Sequence, residues 1–211
     1  VSDLFAGAPL SAALGLAALA LLPLVLMSIT SFAKIAVVLS ILKNALGASD
    51  IPSTAVVTAL SLALSVFVMA PVATEVQAKL LALGGSSKLS AETVLASTVE
   101  PVRAFLAKNA GERETKLFVD LAKEKKLLLT KADLSVLWPS FAITELKRAF
   151  EVGFLVFVPF LIVDLVVASI LLALGLSGLT PSAVALPFKI LLFVSVDGFM
   201  LLSRALILGY A

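Results

Sequence analysis

Any catalysis in this 211-residue chain would have to rest on carboxylates and lysines, because it contains no histidine and no cysteine. That removes thiolate nucleophiles, Ser-His-Asp triads, disulfides and His/Cys zinc sites. The phosphate-binding patterns GxGxxG and GxxxxGK[ST] and the nucleophile pattern GxSxG are missing as well. No catalytic residue, metal site or cofactor is therefore expected. The dense helical cluster of charge, Glu145, Lys147, Arg148 and Glu151, reads as a solvated or subunit-facing helix end, since exposed charge runs are ordinary. A net charge of +2 is too balanced for a nucleic-acid footprint.

Charges inside apolar runs are more informative. A charge at membrane depth costs at least ~2.5–3.5 kcal/mol on insertion scales, so it faces protein or water and has a partner. In the last apolar run, a helical advance of 100° per residue puts Asp197 at about 80° and Arg204 at about 60° from Lys189. One charged stripe on a greasy helix suits an inter-subunit seam or a wet pore wall. Asp164 stands alone on the preceding helix, with Lys189 or Arg204 as its neutraliser across the hairpin or between subunits. The rival chemistry is ion-coupled transport, with Asp164 and Asp197 as proton or cation sites. Broken helices in matching halves would favour it, and the two halves show no convincing internal repeat.

The elements that must position these groups follow from composition. Sixty-one per cent of the residues are apolar and 14 % charged, with a mean hydropathy of +1.15, against about 45–50 % and about 25 % in soluble domains. Such a chain needs lipid or greasy partner subunits. Its charges are unevenly spread: four lie in residues 1–73, four follow Glu151, and the other twenty-two fall between Glu75 and Glu151. Residues 4–33 and 51–74 carry no charge, and each run exceeds the ~20 residues a spanning helix needs. The first is too long for a signal-peptide core and lacks a basic flank. A third run, 152–188, is interrupted by Asp164, and a fourth covers about 182–208.

Asp50 with Pro52 marks a helix start, Gly175 and Gly178 a stop, and Thr180-Pro181 another start. The fold class is all-α: two hydrophobic helical hairpins, residues 1–74 and 140–211, around an inserted polar helical domain, 75–139. Lys34 and Lys43 in the short loop between the first two runs place that loop on the cytoplasmic side and the polar segment opposite, periplasmic in a bacterium.

Within the polar segment, residues 83–90 read as a loop with Ser90 capping the next helix. Residues 112–126 read as a helix with Leu117, Phe118 and Leu121 on one face and charges elsewhere. Thr130 with Asp133 resembles a capping box before a short helix stopping at Pro139, after which Ser140 opens a helix into the third run. Seven alanines and two glycines in residues 6–20 allow close helix approach. Pro23, Pro71, Pro159 and Pro187 should each bend or end a helix. Both features suit a curved, packed assembly.

Residues 27–47 (MSITSFAKIAVVLSILKNALG), 67–71 (FVMAP), 139–169 (PSFAITELKRAFEVGFLVFVPFLIVDLVVAS) and 186–198 (LPFKILLFVSVDG) closely resemble the SctR/FliP family. These are core export-apparatus proteins of type III secretion systems and of the bacterial flagellum. The resemblance covers both hydrophobic arms, and FVMAP lies nearer the injectisome branch than the flagellar one.

It implies a pore-forming subunit, not an enzyme, in the bacterial inner membrane. Five copies would form a helical ring with SctS-like and SctT-like subunits, next to export-gate and switch subunits. Unfolded secreted proteins would pass through that ring, with energy from an associated ATPase and the proton gradient. It also implies that the apolar hairpins mostly cover one another between subunits.

The resemblance further implies a pore-narrowing loop. In the family that loop is rich in methionine; the matching positions here are Leu174, Gly175, Leu176, Ser177, Gly178 and Leu179. Leucines in their place would gate by dewetting and seal more stiffly than the adaptable methionine. Asp164, Lys189, Asp197 and Glu145 are the candidate inter-subunit or buried charges. Phe199 stands where many relatives carry tryptophan.

Overall fold

The computed structural model describes residues 10–47, 52–84, 91–176 and 178–210. Among these residues the chain is helical throughout: α1 (Leu10–Ile29), α2 (Phe32–Leu46), α3 (Thr54–Gly84), α4 (Ala91–Asn109), α5 (Glu112–Glu124), α6 (Leu134–Ala173), α7 (Pro181–Ser195) and α8 (Gly198–Leu208). Two helices, α3 and α6, are long and apolar enough to cross a membrane. The expected boundaries at 74/75 and 139/140 fall inside these two helices.

The centre of the fold is α2, the stretch read above as a charged loop. Its apolar residues Ile35, Val38, Leu39, Leu42, Ala45 and Leu46 are all buried, and their spacing of three and four draws one stripe along a helix. That stripe lies against α6 and α3, in a core completed by Val57, Val68, Ala149, Phe160, Phe193, Leu202 and Leu206. A Cβ on Gly153 would come within 2.3 Å of Ile41 Cδ1, so the missing side chain is what lets α2 and α6 approach this closely. Because Lys34 is buried in this helix, it does not count as a loop charge in the orientation argument.

None of the four prolines ends a helix. Pro23, Pro71, Pro159 and Pro187 all lie inside helices, and Pro139 lies six residues into α6 instead of ending a short one. Hydroxyls satisfy carbonyls nearby: Ser140 Oγ donates to the Val136 carbonyl at 2.6 Å and Thr74 Oγ1 to that of Pro71 at 2.8 Å. Where one helix gives way to the next, the chain bends by 82° between α1 and α2 and by 60° between α7 and α8. At the second, Asp197 takes a left-handed φ of 50°, a conformation aspartate tolerates better than most residues. The last apolar run is thus two helices, and the shared face computed for Lys189, Asp197 and Arg204 does not exist. Lys189 points into the core while Asp197 and Arg204 are exposed.

The polar end is built from α4, α5 and the ends of α3 and α6. Leu106, Leu137 and Phe141 form its small core. The face of α5 differs from expectation: Thr115 and Ala122 are buried, whereas Leu117 and Leu121 are exposed. Asp133 makes the reach-back bond of the expected capping box, but in the turn ahead of the helix. Its carboxylate accepts from the Thr130 backbone N–H and hydroxyl, at 2.6 and 2.8 Å, and Asp133 itself stands at the N-cap of α6. Asp50 and Ser90 lie outside the described residues; α3 starts at Thr54, just after Ser53, whose Oγ accepts from the Val56 N–H at 3.3 Å.

Candidate functional site

Two ion-pair centres and one loop hold all the candidate residues except Asp197. The first centre is Glu145 on α6, 1 % exposed. Lys34 of α2 lies 3.4 Å from its Oε2 and Arg148, one turn further along α6, lies 3.1 Å from Oε1. Tyr210, the only tyrosine in the chain, donates its hydroxyl to Oε2. The Tyr210 ring faces the Lys34 ammonium, 3.4 Å from its centroid, and stacks on Phe105. Arg148 also donates to the Asn109 carbonyl at 3.1 Å, and the Asn109 side chain donates to the Phe105 carbonyl at 2.9 Å.

This centre ties α2, α4, α6 and the chain beyond α8 together. Burial, then the charge and hydrogen bond of Glu145, push the Tyr210 phenol well above its usual pKa, so it stays a donor. A buried carboxylate needs such company: unpaired it would be severely destabilised. With its oxygens so occupied, Glu145 is a structural anchor, not an acid or base. It is also not the solvated helix end that its sequence neighbours suggested. Lys147 and Glu151 are solvated, Lys147 lying 3.8 Å from Glu114.

The second centre joins α6, α7 and the end of α2. Lys189 Nζ donates to Asp164 Oδ2 at 2.7 Å and to the Ala45 carbonyl at 2.9 Å. Of the two neutralisers considered for Asp164, Lys189 is the one engaged and Arg204 is not. A cation at that carbonyl also meets the negative end of the α2 dipole. Lys189 is buried, but the Asp164 side chain is 34 % exposed, and its buried Oδ1 has no hydrogen-bond partner. Asp197 carries its carboxylate at the surface of the α7–α8 bend.

The loop after α6 is closed by backbone alone. Leu176 N–H reaches the Leu171 carbonyl at 3.0 Å and Gly175 N–H that of Leu172 at 3.1 Å, while Gly175 takes φ +69°. That pairing ends a helix when glycine can enter the left-handed region. Thr180 and Pro181 then start α7. Leu174, Leu176 and Leu179 are exposed at 65, 44 and 50 %; Ser177 lies outside the described residues.

Sequence reasoning missed Lys34, Arg148 and Tyr210 as members of the Glu145 centre. A signal for Lys34 existed, since it sits beside Ile35 on the stripe that continues through Val38 and Leu42. No comparable signal marks Tyr210.

Residues 15–206 match the FliP family. The chain is 44 % identical to "Pathogenicity-related ORF2" of Xanthomonas campestris pv. glycines, covering 91 % of this chain and 92 % of that protein. It is 42 % identical to the hypersensitivity response secretion protein HrcR of Ralstonia nicotianae, over 92 and 93 % of the two chains. It is 43 % identical to the flagellar biosynthetic protein FliP of Pectobacterium carotovorum, over 90 and 74 %.

Proposed function

Since the chain belongs to the FliP family and is a membrane protein of the type III secretion export apparatus, we propose that it is a pore-forming subunit of that apparatus. Several copies, five by the family resemblance, would line one channel for unfolded protein. Members of this family are export-apparatus components and not enzymes, and they work with other subunits of the apparatus; SctS-like and SctT-like chains are the proposed neighbours. Similarity to a pathogenicity-related protein and to the hypersensitivity response secretion protein HrcR favours an injectisome over a flagellar role. The proposed location is the bacterial inner membrane, with the polar segment periplasmic. In domain terms, residues 75–139 would form the polar layer and the flanking segments the apolar arms.

The observation that carries this reading is the apolar surface the single chain leaves bare. Leu155, Leu165 and Leu172 on α6 are 70, 60 and 81 % exposed, and Phe67 and Leu81 on α3 are 64 and 72 % exposed. Covering one such side chain is worth about 1.5–3 kcal/mol. A soluble monomer rarely tolerates so large a patch. Native mass spectrometry of the detergent-extracted assembly, co-expressed with its partner subunits, should find several copies of this chain in one complex. A homogeneous monomer under those conditions would overturn the proposal.

Residues 174–179 are the proposed constriction, with exposed leucines in place of a methionine gasket. Leu176→Gly should raise small-ion leak across membranes holding the assembly, and unchanged conductance would remove Leu176 from the gate. Asp197, exposed at the α7–α8 bend, is the proposed charged contact to a neighbour; Asp164, whose side chain is a third exposed, would present that open flank to the same seam.

A further inference from the structure

The turn that follows α5 projects from the polar end. Lys126 adopts a left-handed φ of 57°, and its N–H and that of Leu127 bond the Lys123 and Ala122 carbonyls, each at 2.9 Å. Glycine normally occupies that position, and the apolar residue after it normally folds back on the helix. Here lysine takes the position at a cost of about 1–2 kcal/mol. Leu127 stays 49 % exposed and Leu128 is fully exposed. The outcome is a projecting leucine beside Glu124, Lys125 and Lys126, all exposed. None of the three makes an ion pair among the described residues.

A groove of matching character lies on the other flank of the same polar end. Val72, Pro101, Ala104 and Phe105 give it an apolar floor between α3 and α4, and Glu75 and Lys108 stand at its rim. Its volume is about 250 Å³, below the ~300–1,000 Å³ of small-molecule pockets and better suited to a side chain. Glu75 is held only by Lys79 one turn away, at 2.9 Å with both side chains exposed; such pairs are worth about 0.3–0.5 kcal/mol and exchange readily.

Across the polar end α3 meets α4, α4 meets α6, and α5 meets α6. The projection and the groove are therefore on different flanks. Two different, complementary patches on one chain make a head-to-tail contact, which closes into a ring or winds into a helix.

We propose that Leu128 of one copy seats in the α3–α4 groove of the next, with Lys125 and Lys126 facing Glu75 and Glu124 facing Lys108. This rests on the multi-copy assembly proposed above and specifies a contact within it. The chain contains no cysteine, so a Leu128→Cys, Ala104→Cys double variant can report the contact without background.

In the assembled complex, mild oxidation should yield a ladder of disulfide-linked copies, and neither single variant should. Lys126→Glu with Lys125→Glu should lower the yield several-fold, and adding Glu75→Lys should restore it. Native mass spectrometry of the unoxidised double variant counts copies and separates the two ideas. Several copies there, with no 128–104 bond formed on oxidation, sink the contact and leave the assembly standing; one copy per complex sinks both. Dimers from Leu128→Cys alone, or its capture by a different subunit, also overturn the contact.

Discussion

The two buried ion-pair centres solve the same problem to different degrees. Around Glu145, two cations, a phenol and an aromatic stack leave a carboxylate that is 1 % exposed and fully engaged. Around Asp164, one lysine serves a carboxylate that is a third exposed, and one oxygen has no partner. Charge in a low-dielectric setting is tolerated only when every acceptor is met. The first centre meets that condition inside one chain, so it belongs to the folding of the monomer. The second does not: it keeps one buried oxygen unmet, and the exposed third of the Asp164 side chain is left open to whatever covers α6 and α7.

Breaking the closed centre should have the largest effect. Glu145→Ala leaves Lys34 buried without its counter-charge and should lower stability by about 3–5 kcal/mol, read as the unfolding midpoint in detergent. A loss no larger than that of a surface mutation would refute the claim that this centre holds the monomer. Lys189→Met should cost less, about 1–3 kcal/mol, because water reaches Asp164; a cost equal to that of Glu145→Ala would erase the contrast. Its effect should also be greater in the assembled complex than in the single chain.

Tyr210→Phe keeps the ring over Lys34 and removes one donor of three, so about 0.5–1.5 kcal/mol is expected. The surface carboxylate of Asp133 gives the smallest effect and a pH test. The Thr130 backbone N–H, then its hydroxyl, hold that carboxyl below the usual range. A lowered folded pKa means its contribution is complete above the unfolded value of about 3.9 and is lost as pH falls through the folded one. The midpoint difference between wild type and Asp133→Asn should be flat at neutral pH and vanish only in acid.

How much of this was legible depended on the range of the physics involved. Helix punctuation at Gly175 and Thr180-Pro181 is local, and it appears where the residues placed it. The loop expected at Lys34 failed because charge was taken to mean water; α2 carries that lysine on its buried stripe, and a partner 111 positions away makes this tolerable. The stop expected at Pro139 failed for a related reason: it lies inside α6, where flanking helices and nearby hydroxyls compensate for a missing N–H. The α7–α8 break turned a stripe of three charges into one buried lysine and two exposed residues, because a helical wheel holds only while the helix is unbroken.

The sequence by itself determined that the chain is helical, too apolar to stand alone in water, free of histidine and cysteine chemistry, and similar to a family of export proteins. Composition, spacing and pattern decide those things, and they do not depend on where distant residues meet. Only the tertiary structure decided which charges are paired: that Lys34 and Tyr210 converge on Glu145, that Lys189 reaches both Asp164 and the end of α2, and that Leu128 is left outside. Whether a buried charge is tolerated depends on partners a few ångströms away in space, and separation along the chain carries no record of that distance.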